Sequence, residues 1–186
     1  MLYQLLPPGP LALALPLFPW CVLGVGLLAA ALFDLRWRRV PNWMSVGLLA
    51  SGLLSRGLVA GPLPIAWGVA GAGAALLVLF VPFKRRWIGA GDVKLLIAVG
   101  GWLGPLLLAY SVLASAVLGG VLSVIWLLRA PAELRREVQE NLKTSALART
   151  IPDVGERPPQ LSPPLAPAIA AGTAAVVALF ARQLVT

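Results

Sequence analysis

Histidine is absent from this 186-residue sequence, and cysteine occurs once, at Cys21. Without histidine, the chain has no zinc site of the usual His/Cys kind, no Ser-His triad and no acid/base chemistry by imidazole. A single cysteine excludes a disulfide framework, a CxxC metal knuckle and a thiol pair within one chain. Any catalysis must therefore use carboxylates, hydroxyls, lysine or the backbone, and we expect neither a metal nor a cofactor.

Acidic residues are also scarce, and they are unevenly distributed. Only two of them, Asp34 and Asp92, lie before residue 133, and each stands at the edge of a long apolar run. The others share one later polar segment: Glu133, Glu137, Glu140, Asp153 and Glu156. Because an ionisable residue at a membrane boundary costs stability, the two isolated aspartates are candidate functional residues. Together they suggest a pair.

The composition indicates an integral membrane protein. Hydrophobic residues make up 59% of the chain, charged residues 12%, and the mean hydropathy is +0.88. Strands of alternating polarity, typical of a lipid-embedded barrel, are not evident. The sequence therefore predicts an all-α polytopic bundle. Residues 1–33 carry no charge, unlike the basic start of a signal peptide, so we expect the first span to be retained.

Five uncharged runs define the candidate spans: 11–33, 40–55, 57–83, 95–128 and 158–181. The fourth run has 34 residues, which would make a helix of about 51 Å, longer than a hydrocarbon core of about 30 Å. Glycine and proline interrupt it a third of the way along, at Gly100, Gly101, Gly104 and Pro105. We therefore predict a hairpin of a short and a longer helix, and about six transmembrane helices.

The basic residues predict the orientation. With six spans, 13 of the 15 Lys and Arg residues share one face, and only Arg56 and Arg182 lie opposite, whereas five spans would divide them 7 to 8. Both termini then face outside, and the aspartates lie at the cytoplasmic surface of the membrane. The net charge of +8 follows this topology, so we expect contacts with anionic lipid headgroups and no nucleic-acid binding.

The whole chain, 1–186, is predicted to form one integral membrane domain. Its polar segment, at about 129–160, is expected to lie in the cytoplasm. Residues 131–147 have helical propensity with charges of both signs, and a proline-rich linker follows them.

The first candidate motif, FDLRWRRVPN, contains Asp34 at the end of the first apolar run. Pro41 disfavours helix at Val40, so a tight loop should follow the aspartate. Asn42 is then available to cap the next helix.

The second motif, GAGDVKL, places Asp92 after two spaced glycines and before an apolar run. Gly89 and Gly91 permit backbone angles and close approach that larger residues forbid. Lys94 is expected to point at headgroups or at a carboxylate. Each motif alone also fits simple helix capping, but six spans bring both aspartates to one face at similar depth.

Together these motifs resemble the type IV prepilin peptidases, membrane aspartic proteases of the GxGD type. The resemblance rests on Asp34 with Val40, Pro41 and Asn42, on GAGDVKL, and on LSPPLAPAIAAG from Leu161 to Gly172, which is similar to the start of the family's last helix. Many members carry paired CxxC motifs in an N-terminal methyltransferase domain. Because this sequence has only Cys21, we expect the short, peptidase-only form.

The resemblance implies an aspartic endopeptidase with Asp34 and Asp92 as catalytic residues. Its substrates would be prepilins or pseudopilins, cut at the cytoplasmic membrane surface between a basic leader and a hydrophobic helix. Two close carboxyl groups cannot both ionise cheaply, so one keeps a proton while the other activates water. Helix direction favours Asp92 as the more acidic of the two, because it precedes a helix and Asp34 ends one, but the sequence leaves open which of them holds the proton.

Two other functions remain as alternatives. Paired intramembrane acids also bind cations and relay protons in transporters, although no inverted repeat is evident here. A non-enzymatic assembly subunit of a pilus or secretion system would use its glycines for helix packing.

Overall fold

The computed structural model describes residues 18–60, 62–133, 135–136, 138–140, 143 and 165–185. Every regular element within these residues is helical. Five long helices follow one another along the chain: α1 (Phe18–Trp37), α2 (Asn42–Ala60), α3 (Pro62–Lys84), α4 (Ala90–Arg129) and α5 (Ala166–Val185). The predicted all-α class is confirmed.

Helix α4 is broken at Gly104, where the sequence predicts a turn. Gly104 has φ 79° and ψ 175°, a conformation that glycine adopts readily and other residues do not. Pro105 follows and has no N–H with which to continue the helix. Helix α4 therefore consists of a first arm, residues 90–103, and a second arm, residues 105–129.

The second arm of α4 runs back along the bundle. Near its end, a Cβ at Gly119 would lie 3.6 Å from the Cβ of Ala168 in α5. The first residue of α5, Ala166, is hydrogen-bonded to Asp34, which in turn interacts electrostatically with Asp92 at the start of the first arm. Both ends of α4 thus lie at one end of the bundle, as a hairpin requires. We call this the aspartate end, and the end where α4 turns the far end.

Among the residues that the structure describes, three stretches are long and apolar enough to cross a membrane: Trp20–Trp37, Leu63–Lys84 and Ala90–Arg129. A further apolar stretch, Ala166–Phe180, is shorter. Large apolar side chains cover the outer surface, where Leu58 is 87% and Leu77 is 77% exposed. Lipid contact accounts for this exposure, so the chain is a helical membrane bundle. The count of six spans and the outside position of the termini stay predictions.

The first arm of α4 forms the centre of the bundle. Its inward side chains Leu95 and Val99 are completely buried, and the arm packs against α2 and α3. The approach to α3 is close, because a Cβ at Gly100 would lie 2.5 Å from the carbonyl oxygen of Gly71. Small residues let two helix backbones touch, which is how helices associate where lipid removes the hydrophobic driving force.

Arg56 corrects one predicted boundary. The sequence places it between the second and third runs, whereas the structure places it inside α2. Its guanidinium donates two hydrogen bonds to the carbonyl oxygen of Trp102, at 3.0 and 2.6 Å, and one to that of Pro64, at 3.4 Å. The last carbonyls of the first arm have no helical partner because the chain turns at Gly104. A charged side chain is accommodated in α2 because it supplies donors to them.

Only part of the predicted polar segment is described. Residues 132–133, 135–136, 138–140 and 143 are helical, in agreement with the helix predicted at 131–147. The linker at 151–160 and the first four residues of LSPPLAPAIAAG lie outside the described residues. The assignment of 1–186 to one domain stays a prediction.

Candidate active site

Asp34 lies in the last turn of α1 and is only 9% exposed. The helix closes behind it, where the N–H of Arg38 donates to the carbonyl oxygen of Asp34 at 2.9 Å and Arg38 adopts a left-handed φ of 54°. From across the bundle, the N–H of Ala166 donates to Asp34 Oδ2 at 3.2 Å, and the backbone of Leu165 adds a further hydrogen bond. The unpaired N–H groups at the start of α5 therefore face this carboxyl group.

The predicted loop after Asp34 is present between α1 and α2. Pro41 directly precedes the next helix, and its carbonyl oxygen accepts from the N–H groups of Met44 at 3.2 Å and Ser45 at 3.4 Å. Asn42 is the first residue of α2, but the predicted cap is wrong. Its Oδ1 accepts a hydrogen bond from Lys94 Nζ at 2.7 Å instead.

The sequence predicts that Lys94 points at headgroups or at a carboxylate, and the structure gives it the amide oxygen of Asn42 as a partner. Contact with headgroups stays a prediction. Lys94 and Asp92 lie two positions apart in the first turn of α4, so their side chains point in different directions. Lys94 is exposed and turns toward the start of α2. It thereby connects the two motifs of the sequence.

Asp92 also lies in the first turn of α4, behind Gly89. Gly89 has φ −69° and ψ 150°, an extended conformation that any residue adopts, and Gly91 is helical, so the backbone argument for these glycines is wrong. The argument from close approach holds for Gly89. A Cβ there would lie 3.1 Å from Asp92 Oδ2, whereas a Cβ at Gly91 would make ordinary contact, 3.4 Å from the Cβ of Val40.

The two carboxyl groups approach each other at the aspartate end. The charge of Asp34 acts on Asp92, and the backbone of Gly89 is hydrogen-bonded to the Asp92 carboxyl group. Asp34 is the more buried of the two. Two carboxyl groups from separate helices can share a proton and polarise water, which is the arrangement required for acid/base hydrolysis.

One neighbour of the aspartates was missed by sequence reasoning: the backbone at Leu165 and Ala166 contacts Asp34. The stretch LSPPLAPAIAAG did signal a special helix start, but not that this start would reach Asp34. Within the described part of the chain, His, Cys, Asp and Glu form no group of three that could hold a metal ion. The expectation of metal-free chemistry stays a prediction.

The model of the type IV leader peptidase family matches residues 21–124, a range that includes both aspartates. A prepilin leader peptidase/N-methyltransferase of Aeromonas salmonicida (strain A449) is 37% identical over 125 residues, covering 61% of this chain and 41% of the relative. A type 4 prepilin-like proteins leader peptide-processing enzyme of Escherichia coli O78:H11 is 33% identical over 115 residues, covering 56% and 41%.

A Pseudomonas aeruginosa prepilin leader peptidase/N-methyltransferase is 33% identical over 114 residues, covering 58% of this chain and 39% of the relative. The chain thus spans about two fifths of the length of the curated relatives it matches. No solved structure matches it.

Proposed function

The chain belongs to the type IV leader peptidase family, and from this premise we propose that it is an aspartic endopeptidase. Its substrates are type IV prepilins or pseudopilins, from which it removes the basic leader. The names of the relatives, which describe leader peptidases, support this substrate class.

The proposal rests on the electrostatic interaction between Asp34 and Asp92 at the aspartate end. The two residues are 58 positions apart in sequence, yet the charge of one acts on the other. They are the two carboxylates that the sequence places outside its later polar segment. A pair of interacting acids in an apolar bundle lowers stability. A catalytic role for the two acids best accounts for their presence.

The reaction needs only these two side chains and water. One aspartate is ionised and takes a proton from water, which attacks the scissile carbonyl carbon. The other is protonated and donates to the carbonyl oxygen, so that negative charge does not accumulate there. When the C–N bond breaks, the nitrogen takes up a proton, and leader carboxylate and mature amine result. The chain's part is to hold the two carboxyl groups in opposite protonation states.

We place the aspartate end at the cytoplasmic face of the bacterial inner membrane. Basic residues surround this end: Arg36 and Arg39 follow Asp34, and Lys84 and Arg85 follow the last apolar turn of α3. Such clusters favour the cytoplasmic side and attract anionic headgroups. Lipid is therefore the partner of these charges, and nucleic acid is not.

The test is cleavage of a reporter that carries a prepilin leader in front of a hydrophobic helix. We expect the purified chain in lipid vesicles to release the leader, with the masses of both products identifying the cut at the junction. A reporter without the leader is the control and should stay intact. No cleavage by a well-inserted protein, together with an ion flux that disappears when the aspartates are neutralised, would replace the proposal by transport.

A further inference from the structure

One side-chain hydrogen bond joins the two motifs directly. Lys94 Nζ donates to Asn42 Oδ1 at 2.7 Å, across 52 positions of sequence. A second contact joins the same segments. A Cβ at Gly91 would lie 3.4 Å from the Cβ of Val40, which is an ordinary van der Waals distance. The first turn of α4 is therefore attached at two points to the segment that leads from Asp34 into α2.

The position of this bond matters because each partner is close in sequence to one aspartate. Lys94 shares the first turn of α4 with Asp92. Asn42 follows the short loop that begins at Asp34, and Arg38 closes that loop onto the carbonyl oxygen of Asp34. A bond between Lys94 and Asn42 therefore limits how far the two carboxyl groups can separate.

A force that separates them is present in the same place. Two carboxyl groups repel each other whenever both are ionised, and the charge of Asp34 does act on Asp92. A hydrogen bond with an ionised donor is stronger than a neutral one, and Lys94 makes its bond with an ammonium group. The bond between Lys94 and Asn42 thus opposes the repulsion between the two carboxyl groups.

We propose that Lys94 is a positioning residue that holds Asp92 beside Asp34 through its hydrogen bond to Asn42. The inference rests on the proposed peptidase function. Lys94 Nζ is bonded to an amide oxygen on another helix, so its effect on the reaction passes through the geometry of the two aspartates.

The kinetic test compares Lys94→Met, Asn42→Ala and the double variant on the leader reporter. Misplacing a catalytic group by about 1 Å can cost about 10²-fold, and we expect kcat to fall by roughly 10-fold to 10²-fold with little change in KM. Lys94→Arg keeps a charged donor and should recover most of the loss. The double variant should lose no more than either single one, because both remove the same bond. Additive losses would overturn the proposal.

A matched control is Arg39→Met, which removes an exposed positive charge from the same end of the bundle. We expect it to leave kcat unchanged. If it lowers kcat as much as Lys94→Met does, the effect belongs to the overall charge of this surface, and the proposal is wrong.

A second measurement reads the geometry without any catalysis. The variant for this measurement is Val40→Cys/Gly91→Cys in a Cys21→Ser background. Its two cysteine Cβ atoms would lie about 3.4 Å apart, close to the separation found in disulfides. We expect rapid oxidative cross-linking with Lys94 present and a severalfold lower yield with Lys94→Met. Unchanged cross-linking would show that Lys94 does not hold the segments together, even if kcat falls. A lower yield with unchanged kcat would show that the attachment does not serve the reaction.

These readouts separate the two proposals. If the unmodified chain cleaves no leader reporter, the peptidase proposal fails, while the cross-linking yield still decides whether Lys94 holds the two segments. If the chain cleaves the reporter but neither kcat nor the yield depends on Lys94, the positioning proposal alone fails.

Discussion

The two ends of the bundle use polar side chains in different ways. At the aspartate end, carboxyl groups from α1 and α4 meet, each held by a few bonds. Asp34 accepts from the backbone at Ala166, at 3.2 Å, and the exposed bond between Lys94 and Asn42 spans 2.7 Å. These contacts connect separate helices, and the charge of Asp34 acts on Asp92.

At the far end, polar side chains donate hydrogen bonds to backbone carbonyl oxygens. The guanidinium of Arg56 donates to the carbonyl oxygens of Trp102 and Pro64, and the indole N–H of Trp102 donates to the carbonyl oxygen of Leu48 at 2.7 Å. The bonds tie α2, α3 and the first arm of α4 together where the chain turns.

This difference separates the polar groups that stabilise the fold from those that are available for catalysis. Inside a bilayer no water can pair with a free backbone group, so side chains at the far end are committed to that task. The carboxyl groups at the aspartate end also accept backbone hydrogen bonds, but in addition they interact with each other. Substitutions at the far end should therefore change stability, and substitutions at the aspartate end should change turnover.

The largest expected effect is at the two acids. Asp34→Asn and Asp92→Asn keep the size of the side chain but replace the ionisable carboxyl group by a neutral amide. Cleavage of the leader reporter should therefore fall by about 10²-fold to 10⁴-fold. Initial rates at matched amounts of inserted protein measure this. The unfolding midpoint should stay near that of the wild type. A well-inserted variant with full activity would remove its aspartate from the mechanism.

Gly89→Ala should give the next largest effect. Its Cβ would lie 3.1 Å from Asp92 Oδ2, so the carboxyl group must move by a few tenths of an ångström. We expect a loss of kcat smaller than the roughly 10²-fold that a 1 Å displacement can cause. Gly91→Ala is the control, since its Cβ meets Val40 at an ordinary 3.4 Å. Equal losses in both variants would contradict this steric account.

Arg56→Met tests the far end. Without the guanidinium, the carbonyl oxygen of Trp102 loses two hydrogen bonds in a partly buried site. An unpaired buried acceptor costs about 1–3 kcal/mol, which denaturant unfolding in detergent would measure. Turnover per folded molecule should stay close to that of the wild type. Arg36→Met, at an exposed position of the aspartate end, is the control for loss of charge. If Arg56→Met abolishes turnover without loss of stability, the two ends are not separate in function.

Trp102→Phe should have the smallest effect. The indole N–H is lost, but the carbonyl oxygen of Leu48 still accepts from the Ser51 hydroxyl at 2.9 Å. One hydrogen bond without an orphaned partner contributes about 1 kcal/mol. Chemical unfolding should show a decrease of this size, and leader cleavage should not change. A much larger decrease would mean that the indole ring, which packs against Gly52, contributes mainly by its volume.

Much of the architecture could be predicted from the sequence because it depends on local chemistry. The break in α4 follows from Gly104 and Pro105, which end a helix by their own backbone properties. The loop after Asp34 follows from Pro41 in the same way. The common end for Asp34 and Asp92 follows from the distribution of basic residues, which is a global property of the chain.

The errors concern side chains whose partners are distant in sequence. The sequence predicts the end of a membrane span at Arg56, because a charge normally ends such a span. The carbonyl oxygen of Trp102 is available to Arg56 because the chain turns at Gly104. The sequence predicts that Asn42 caps the next helix, whereas its Oδ1 accepts a hydrogen bond from Lys94 across 52 positions. No local pattern encodes a contact of that kind.

The central claim is that Asp34 and Asp92 act as one unit, and the double variant Asp34→Asn/Asp92→Asn tests it most directly. Residual leader cleavage by the double variant is compared with that of each single variant, at matched insertion. Groups that act together lose their function at the first removal, so the double variant should be no less active than the weaker single one. If the two losses multiply instead, the aspartates act independently, and the account of a shared carboxyl pair is wrong.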